Sequence, residues 1–188
     1  MTAPTNRVLI PALERIPARP SGAVLVLTGE AMGTSWMVRA VGDPAGGPRL
    51  TAAVREEIAR VDAQMSHWRP DSALSRFNAA DTAEAHALPH PFAGVLGYAI
   101  TLAHQTDGAF DPTLGALVDL WGFGPPGPRA DVPSDADIET AHANSGWRRL
   151  EQTSNARWTQ PGGLRLDLSG VAKGFAVDAV SERLTTEG

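Results

Sequence analysis

The chain has 188 residues, of which 43% are hydrophobic and 20% charged, a composition typical of a folded domain rather than a disordered one. Its formal charge is −5 and its longest basic run is Arg148-Arg149, so the sequence lacks the basic surface that nucleic acid requires. It has no cysteine, which excludes disulfides, thiolate metal sites and thiol nucleophiles and leaves oxygen or imidazole groups as metal ligands.

Residues 1–20 contain four prolines and no apolar run as long as the core of a signal peptide, which is about 7 residues or more. We expect them to form a flexible arm and residues 21–188 to form one domain. The sequence as written therefore predicts a cytoplasmic protein without a membrane-spanning segment.

The predicted elements begin with a β-hairpin. Alternating apolar residues indicate strands over Val24–Thr28 and Trp36–Val41, with Met32-Gly33-Thr34 in the connection. Apolar residues at helical spacing then predict an amphipathic helix over about 51–65, followed by a polar loop over 67–72. A second helix begins near Phe92 and is ended by Asp107-Gly108.

The second half of the chain predicts two short helices, three β-like pieces and a last helix. The short helices span about 113–120 and 134–144, and Ser134 is the expected N-cap of the second. The β-like pieces lie around 147–151, 157–159 and 164–168, and a Pro-Gly-Gly turn joins the last two. The last helix spans about 171–184, and its apolar face is expected to need a partner from sequence further downstream.

Residues 164–175 carry the most informative chemical pattern. Three leucines alternate along one face of a predicted strand: Leu164, Leu166 and Leu168. Asp167 then lies on the opposite face near the strand end, and a Ser169-Gly170 turn leads into a helix with Lys173 in its first turn. Free backbone N–H groups and the dipole at a helix start favour anions. The pattern fits a phosphate site, and it also fits a solvated Asp167–Lys173 pair beside a helix cap.

A second candidate site lies at residues 106–113. Asp111 precedes a proline, so we expect it to be extended and to cap the helix that begins near Thr113. Capping leaves the small residues Gly108 and Ala109 unexplained, and small residues let a backbone approach a flat ligand closely. The pattern therefore fits a cap alone and a cap with a ligand contact equally well.

A third candidate is Trp68 in the polar loop. Its ring could stack on a flat ligand such as adenine or isoalloxazine, or shield the core, and shielding is the simpler interpretation of the loop alone. No histidine pair has a spacing typical of zinc and no serine hydrolase elbow is present. Surface or packing positions are therefore expected for all five histidines: His67, His86, His90, His104 and His142.

Four blocks in this order resemble the FAD:protein FMN transferase family, the ApbE-like flavin transferases. The blocks are Met32-Gly33-Thr34, MSHWRPDSALSRFN (65–78), TDGAFDPTLGALVDLWGFG (106–124) and LDLSGVAKGFAVD (166–178). The resemblance runs from about Gly29 to the end of the chain. It implies an α+β domain of the T-fold-like kind, in which an antiparallel sheet packs against helices and FAD binds with Mg²⁺.

The resemblance also implies roles for individual residues. The side chains or backbone expected to contact FAD are Met32, Trp68, Ala109, Phe110, Asp111, Asp167 and Lys173. The backbone carbonyl of Gly170 is the implied magnesium ligand, and no catalytic residue is assigned. Trp68 stands where many members of the family have tyrosine.

The implied reaction is a magnesium-dependent transfer of FMN from FAD to a threonine or serine hydroxyl of an acceptor protein that carries a flavinylation motif, with release of AMP. Phosphoryl transfer depends mainly on positioning and charge neutralisation, which an oxygen-bound magnesium ion and a lysine supply. The alternatives are a flavin-binding protein without transferase activity, an FAD pyrophosphatase that uses water, and a structural remnant that binds nothing.

Members of this family continue beyond the position of Gly188 and carry further magnesium ligands and a His-containing DP motif there. We therefore expect the chain to be the N-terminal and central part of a longer protein, incomplete at its C-terminus. Many members are exported, which makes the cell envelope the alternative to the cytoplasm. The acceptor protein and the oligomeric state stay open.

Overall fold

The computed structural model describes residues 21–80 and 84–187. The strands are β1 Ala23–Ala31, β2 Thr34–Gly42, β3 Ala85–Ala87, β4 Glu151–Ser154 and β5 Arg157–Thr159. The helices are α1 Gly47–Met65, α2 Ala73–Asn78, α3 Phe92–Gln105, α4 Gly115–Leu120, α5 Asp135–Ala143 and α6 Ser169–Glu187. The predicted flexible arm over 1–20 lies outside the described residues.

The strands form two separate antiparallel sheets. One is the hairpin β1-β2, and the other has the order β3-β5-β4. Both combine with the six helices into an α+β architecture, so the predicted fold class is confirmed. Within the described ranges, no helix has the length and apolar character needed to cross a bilayer.

The hairpin turn fixes the position of Met32. Met32 has φ 51° and Gly33 has φ 72°, and a two-residue connection with both φ angles positive matches the natural twist of the flanking strands. The register pairs Ala31 with Thr34 at the turn and continues without a bulge to the far end of both strands. Both strands are longer than predicted, and the predicted hairpin is confirmed.

The main core lies between α1, α2, α3, the start of α6 and the extended segment 164–168, and the hairpin packs on α1. Leu25 and Leu27 point inward from β1, and α1 packs against both β1 and α6. The helical faces contribute the buried residues Val61 and Met65 of α1, Phe92, Leu96 and Ala99 of α3, and Ala172 and Ala176 of α6. α3 ends as predicted, because Asp107 and Gly108 adopt φ 49° and 83° directly after it.

Residues 164–168 correct one prediction. The three leucines are fully buried as the alternation predicts, but the segment does not belong to either sheet. A single parallel bridge links Leu114 to Arg165, and the remaining backbone partners come from elsewhere. The Asn78 side chain accepts from Leu166 N at 2.8 Å and donates to Leu166 O at 2.9 Å, in the manner of a neighbouring strand.

Other boundaries also differ from the prediction. Residues 147–149 form a 3-10 turn, and the strand of this region starts only at Glu151. α2 and β3 were not predicted because each is too short to show a period. α5 begins as predicted, with Ser134 Oγ accepting a hydrogen bond from Asp137 N.

Removal of the Asn78 amide tests its role in holding the extended segment. Asn78→Ala leaves the N–H and C=O of buried Leu166 without partners, so we expect a loss of about 2 kcal/mol or more in the free energy of unfolding. Urea denaturation, monitored by circular dichroism, measures the free energy of unfolding of each variant. Asn78→Asp keeps the acceptor for Leu166 N but sets a carboxylate oxygen against Leu166 O, so it should not restore the lost stability.

A matched control is Asn144→Ala, at an exposed residue whose amide donates only to Thr140 O of its own helix. We expect this change to alter the stability by about 0.5 kcal/mol or less. Equal stabilities of Asn78→Ala and Asn144→Ala would mean that residues 164–168 are held without the Asn78 amide.

Candidate functional site

The loop between α1 and α2 presents Trp68 to solvent. Ser72 Oγ donates to Ser66 O at 2.6 Å and accepts from Ser75 N at 2.9 Å, so one buried hydroxyl closes the loop and caps α2. Trp68 is 58% exposed. An indole with this exposure leaves a face accessible to a flat ligand, so shielding of the core does not account for it.

Arg69 stiffens the same loop. Its guanidinium donates to both carboxylate oxygens of Asp71, at 3.1 and 2.9 Å, and reaches Asp62 of α1 at 3.2 Å. The hydrogen bond from Arg69 holds the pKa of Asp71 below its ordinary value. The loop that carries Trp68 is therefore anchored to α1 by a charged network.

Asp167 is held in place at the start of α6. Its Oδ1 accepts from Ser169 N at 2.7 Å, and its backbone N–H donates to Pro112 O at 2.8 Å. The Asp167 side chain is only 10% exposed. The predicted alternative of a solvated pair with Lys173 is therefore wrong, because the carboxylate is largely buried and the side chain within 4 Å of it that could carry a positive charge is not a lysine.

That neighbour is His67, for which the sequence predicts only a surface or packing position. His67 Nδ1 lies 3.6 Å from Asp167 Oδ1, and its ring centroid is 5.4 Å from that of Trp68. His67 Nε2 is buried and has no hydrogen-bond partner among the described residues. A lone histidine in a polar loop gives no signal of a contact made 100 positions further along the chain.

His67 and Asp167 both line a cavity of about 130 Å³. Asn78 and Leu166 form part of its wall, which ties the cavity to the extended segment described above. Ser75 also lines the cavity, as does the pair Arg165 and Asp119, whose Nε and Oδ2 atoms lie 3.3 Å apart. The cavity therefore joins the Trp68 loop to the start of α6.

Residues 109–113 form a tight turn beside α6. Asp111 Oδ1 accepts from Thr113 N at 2.8 Å and from Thr113 Oγ1 at 2.6 Å, and Thr113 Oγ1 accepts from Gly146 N. α4 begins at Gly115, two residues later than predicted, so Asp111 shapes the approach to the helix and does not cap it. Ala109 is exposed.

Phe110 brings this turn against α6. It is half-buried and packs against the core, and a Cβ atom added at Gly170 would lie 3.1 Å from Phe110 Cε2. Gly170 is the second residue of α6, because the helix starts two positions earlier than predicted. The glycine therefore allows a close approach of Phe110, rather than making the turn that the sequence suggested.

Lys173 lies in the second turn of α6, not in the first, and faces a different cleft. This cleft has a volume of about 470 Å³ and lies between the hairpin, α1 and α6. Met32 and Trp36 line its hairpin wall, and Val177 and Leu184 continue the α6 wall beyond Lys173. The cleft is mostly apolar, and Lys173 is the positively charged residue in its lining.

The predicted site residues thus meet in three places around the first two turns of α6. Asp167 lies beside His67 and the Trp68 loop. Gly170 lies beside Phe110, and Lys173 shares a cleft with Met32. Ala109 and Asp111 lie in the turn that carries Phe110, with Asp111 committed to Thr113.

A family model described as "ApbE family" matches residues 32–188. The chain belongs to the ApbE family. The predicted resemblance is confirmed, and the matched range includes every predicted site residue.

Named relatives agree with this family assignment. The chain is 34% identical over 177 residues to the FAD:protein FMN transferase of Klebsiella pneumoniae, which covers 92% of this chain and 51% of the relative. It is 36% identical over 164 residues to the protein of the same name from Vibrio cholerae, covering 86% and 49%. The chain therefore spans about half the length of the curated relatives it matches.

Solved structures of ApbE proteins share the fold. The flavin transferase ApbE from Vibrio cholerae superposes with a TM-score of 0.84 at 34% identity, covering 88% of this chain and 54% of that one. The apo form of the flavinyl transferase ApbE from Pseudomonas stutzeri superposes with a TM-score of 0.81 at 35% identity, covering 88% and 53%.

The contact between Gly170 and Phe110 predicts a difference between two glycines of α6. Gly170→Val should lower stability by about 1 to 3 kcal/mol, because its added carbon atoms press on the half-buried Phe110 ring. Gly174→Val is the matched control, since a Cβ at Gly174 meets nothing within 4 Å. Thermal unfolding measures both, and equal midpoints would contradict the proposed close approach of Phe110.

Proposed function

We propose that the protein transfers FMN from FAD to a threonine or serine hydroxyl of an acceptor protein, in a magnesium-dependent reaction that releases AMP. Membership of the ApbE family and relatives named FAD:protein FMN transferase support the proposal. The observation that carries it is the position of Asp167 just before α6 and of Gly170 and Lys173 in its first two turns, with Lys173 in a cleft that also contains Met32.

The described residues suit a flavin dinucleotide. A mostly apolar cleft of about 470 Å³ falls within the usual size of small-molecule sites, roughly 300 to 1,000 Å³. Met32 and Trp36 offer apolar surface for a ring system, and the exposed face of Trp68 offers a stacking surface in the loop whose His67 contacts Asp167. Lys173 supplies a positive charge for the diphosphate.

Lys173 has a further distinguishing feature. It is the only lysine in the chain, which has fifteen arginines. A lysine ammonium is a compact point charge with three donors, whereas an arginine guanidinium is a planar fork. Lys173 forms no ion pair with another described residue, so its charge is available to a ligand.

The described residues also suit a magnesium ion that is shared with the substrate. They contain no group of three His, Asp or Glu side chains placed to hold a metal. Mg²⁺ usually keeps several waters and takes only one or two protein ligands together with substrate phosphates. The carbonyl of Gly170 lies in the first turn of α6, and a carbonyl oxygen has a second lone pair beyond its helical hydrogen bond.

The proposed step is a phosphoryl transfer. The acceptor hydroxyl oxygen forms a bond to the FMN phosphorus and loses its proton to solvent, while the bond from that phosphorus to the bridging oxygen breaks. AMP leaves with the bridging oxygen and its electron pair. A magnesium ion held by the Gly170 carbonyl and the substrate phosphates would neutralise charge on the diphosphate. The chain's own groups hold the substrate: Lys173 adds positive charge, and Trp68 and Met32 restrict the flavin nucleotide.

The proposed activity is tested by incubating the protein, expressed to its natural C-terminus, with FAD, Mg²⁺ and a protein carrying the family's flavinylation motif. We expect AMP release and a fluorescent flavin band on the acceptor in a denaturing gel. An acceptor with its target threonine changed to valine is the control and should stay unlabelled. AMP without acceptor labelling would favour the pyrophosphatase, and FAD binding without AMP would favour the binding protein.

FAD binding is expected to depend on Asp167 and Lys173. Lys173→Met should weaken FAD binding by about tenfold or more in the presence of Mg²⁺, since it removes the cation that meets the diphosphate, and Asp167→Asn should do the same because it removes a carboxylate acceptor for the N–H and O–H donors of the nucleotide. Lys173→Arg should recover only part of the affinity, because the fork differs in shape from an ammonium. Flavin fluorescence titration measures the affinity, and circular dichroism checks the fold.

A matched control is Arg183→Met, which removes a cation further along the same helix, outside the three contact places described. It should leave FAD affinity unchanged. The single lysine gives a second measurement, because bound FAD should protect Lys173 from acetylation, read by mass spectrometry. Unaltered affinity in Lys173→Met, with no protection in the parent chain, would remove Lys173 from the site.

A further inference from the structure

His67 lies between two of the proposed FAD contacts, which belong to different parts of the chain. Its Nδ1 atom is 3.6 Å from Asp167 Oδ1, and its ring centroid is 5.4 Å from that of Trp68, with the two rings tilted by 38°. The His67 side chain is 16% exposed and the Asp167 side chain 10%. A largely buried imidazole in this position can influence a ligand through either neighbour.

The backbone on both sides of His67 is held in place. Ser66 N donates to Asp62 O of α1 at 3.1 Å, and Trp68 N donates to Ser66 Oγ at 3.3 Å. Arg69 then ties the loop to the carboxylate of Asp62. The loop itself therefore sets the position of the imidazole.

The carboxylate of Asp167 uses one of its two oxygens for contacts within the chain. Ser169 N donates to Oδ1 at 2.7 Å, and the His67 ring approaches the same atom. Oδ2 accepts no hydrogen bond from another residue in ranges 21–80 and 84–187. A single contact leaves the carboxylate free to turn about its terminal bond, whose rotation is soft, whereas a second contact on the same oxygen restrains it. Oδ2 then stays available to a ligand.

No lysine or arginine takes the place of His67 beside this carboxylate. In the part of the chain that the structure describes, no lysine or arginine nitrogen lies within 4 Å of the Asp167 oxygens. Arg165 lines the same cavity, but it pairs with Asp119 at 3.3 Å. An unbalanced carboxylate repels a diphosphate, and a nearby imidazole N–H offsets part of that repulsion.

We infer that His67 is a positioning residue that acts through Asp167. It restrains Oδ1 so that Oδ2 meets the N–H and O–H donors of the flavin nucleotide, and this inference rests on the proposed function. His67 Nε2 is buried, so the imidazole acts on the carboxylate rather than on the ligand itself. At 3.6 Å the contact is electrostatic and too long for a hydrogen bond. Its removal should therefore cost less affinity than removal of the carboxylate.

The inference is tested by a double-mutant cycle on the protein expressed to its natural C-terminus, with FAD affinity measured by flavin fluorescence titration in the presence of Mg²⁺. His67→Leu keeps an apolar side chain against Trp68 and removes the imidazole from Asp167, and it should weaken FAD binding by about fivefold. In the Asp167→Asn background the same change should weaken binding by less than about twofold, because the group through which His67 acts is already altered. His67→Asn places an amide at the position of Nδ1 and should stay within about twofold of the parent affinity.

His142→Leu is the matched control, since it makes the same change at an exposed position of α5 and should leave FAD affinity unchanged. Circular dichroism checks that each variant is folded. Equal losses from His67→Leu in the parent and Asp167→Asn backgrounds would show that His67 acts independently of Asp167, and would overturn the inference. Unaltered affinity in His67→Leu would also overturn it while leaving the proposed function intact. A parent protein that binds no FAD would overturn both, so the two failures are distinct.

Discussion

The geometry of the site depends on how the extended segment 164–168 satisfies its backbone. Buried N–H and C=O groups need partners, and this segment obtains them without joining a sheet. Asn78 binds both polar groups of Leu166, Gly115 N donates to Arg165 O, and Asp167 N donates to Pro112 O. One short piece of chain therefore fastens the end of α2, the turn before α4 and the start of α6, and any shift of Asp167 breaks contacts to all three.

Features set by neighbouring residues could be predicted from the sequence. The leucine alternation showed which side of 164–168 is buried, and Asp107-Gly108 marked the end of α3 because positive φ angles there are a local property. The partner of Leu166 could not be predicted, since Asn78 lies 88 positions away and the periodicity of a segment does not say whether its neighbour is a strand or a side chain. His67 was missed for the same reason.

Gly170 shows how one residue type supports two explanations. Next to Ser169 it suggested a turn, and the helix was predicted to start after it. The structure gives it helical geometry at the second position of α6, where a side chain would press on Phe110. Packing between elements distant in sequence, rather than backbone freedom, accounts for the glycine. Because the helix starts earlier than predicted, Lys173 lies in its second turn and faces the hairpin cleft rather than the helix end.

The hairpin forms one wall of the cleft proposed for FAD. A two-stranded sheet is only marginally stable by itself, and here its inner face gains support from α1 through Leu25 and Leu27 while its outer face has none from the described residues. Met32 sits in the turn of this hairpin and Trp36 in its second strand, so one wall of the cleft is only as rigid as the hairpin. Because ligand affinity increases when a site is ordered before binding, the packing of Leu25 and Leu27 toward α1 favours the proposed flavin binding in this cleft.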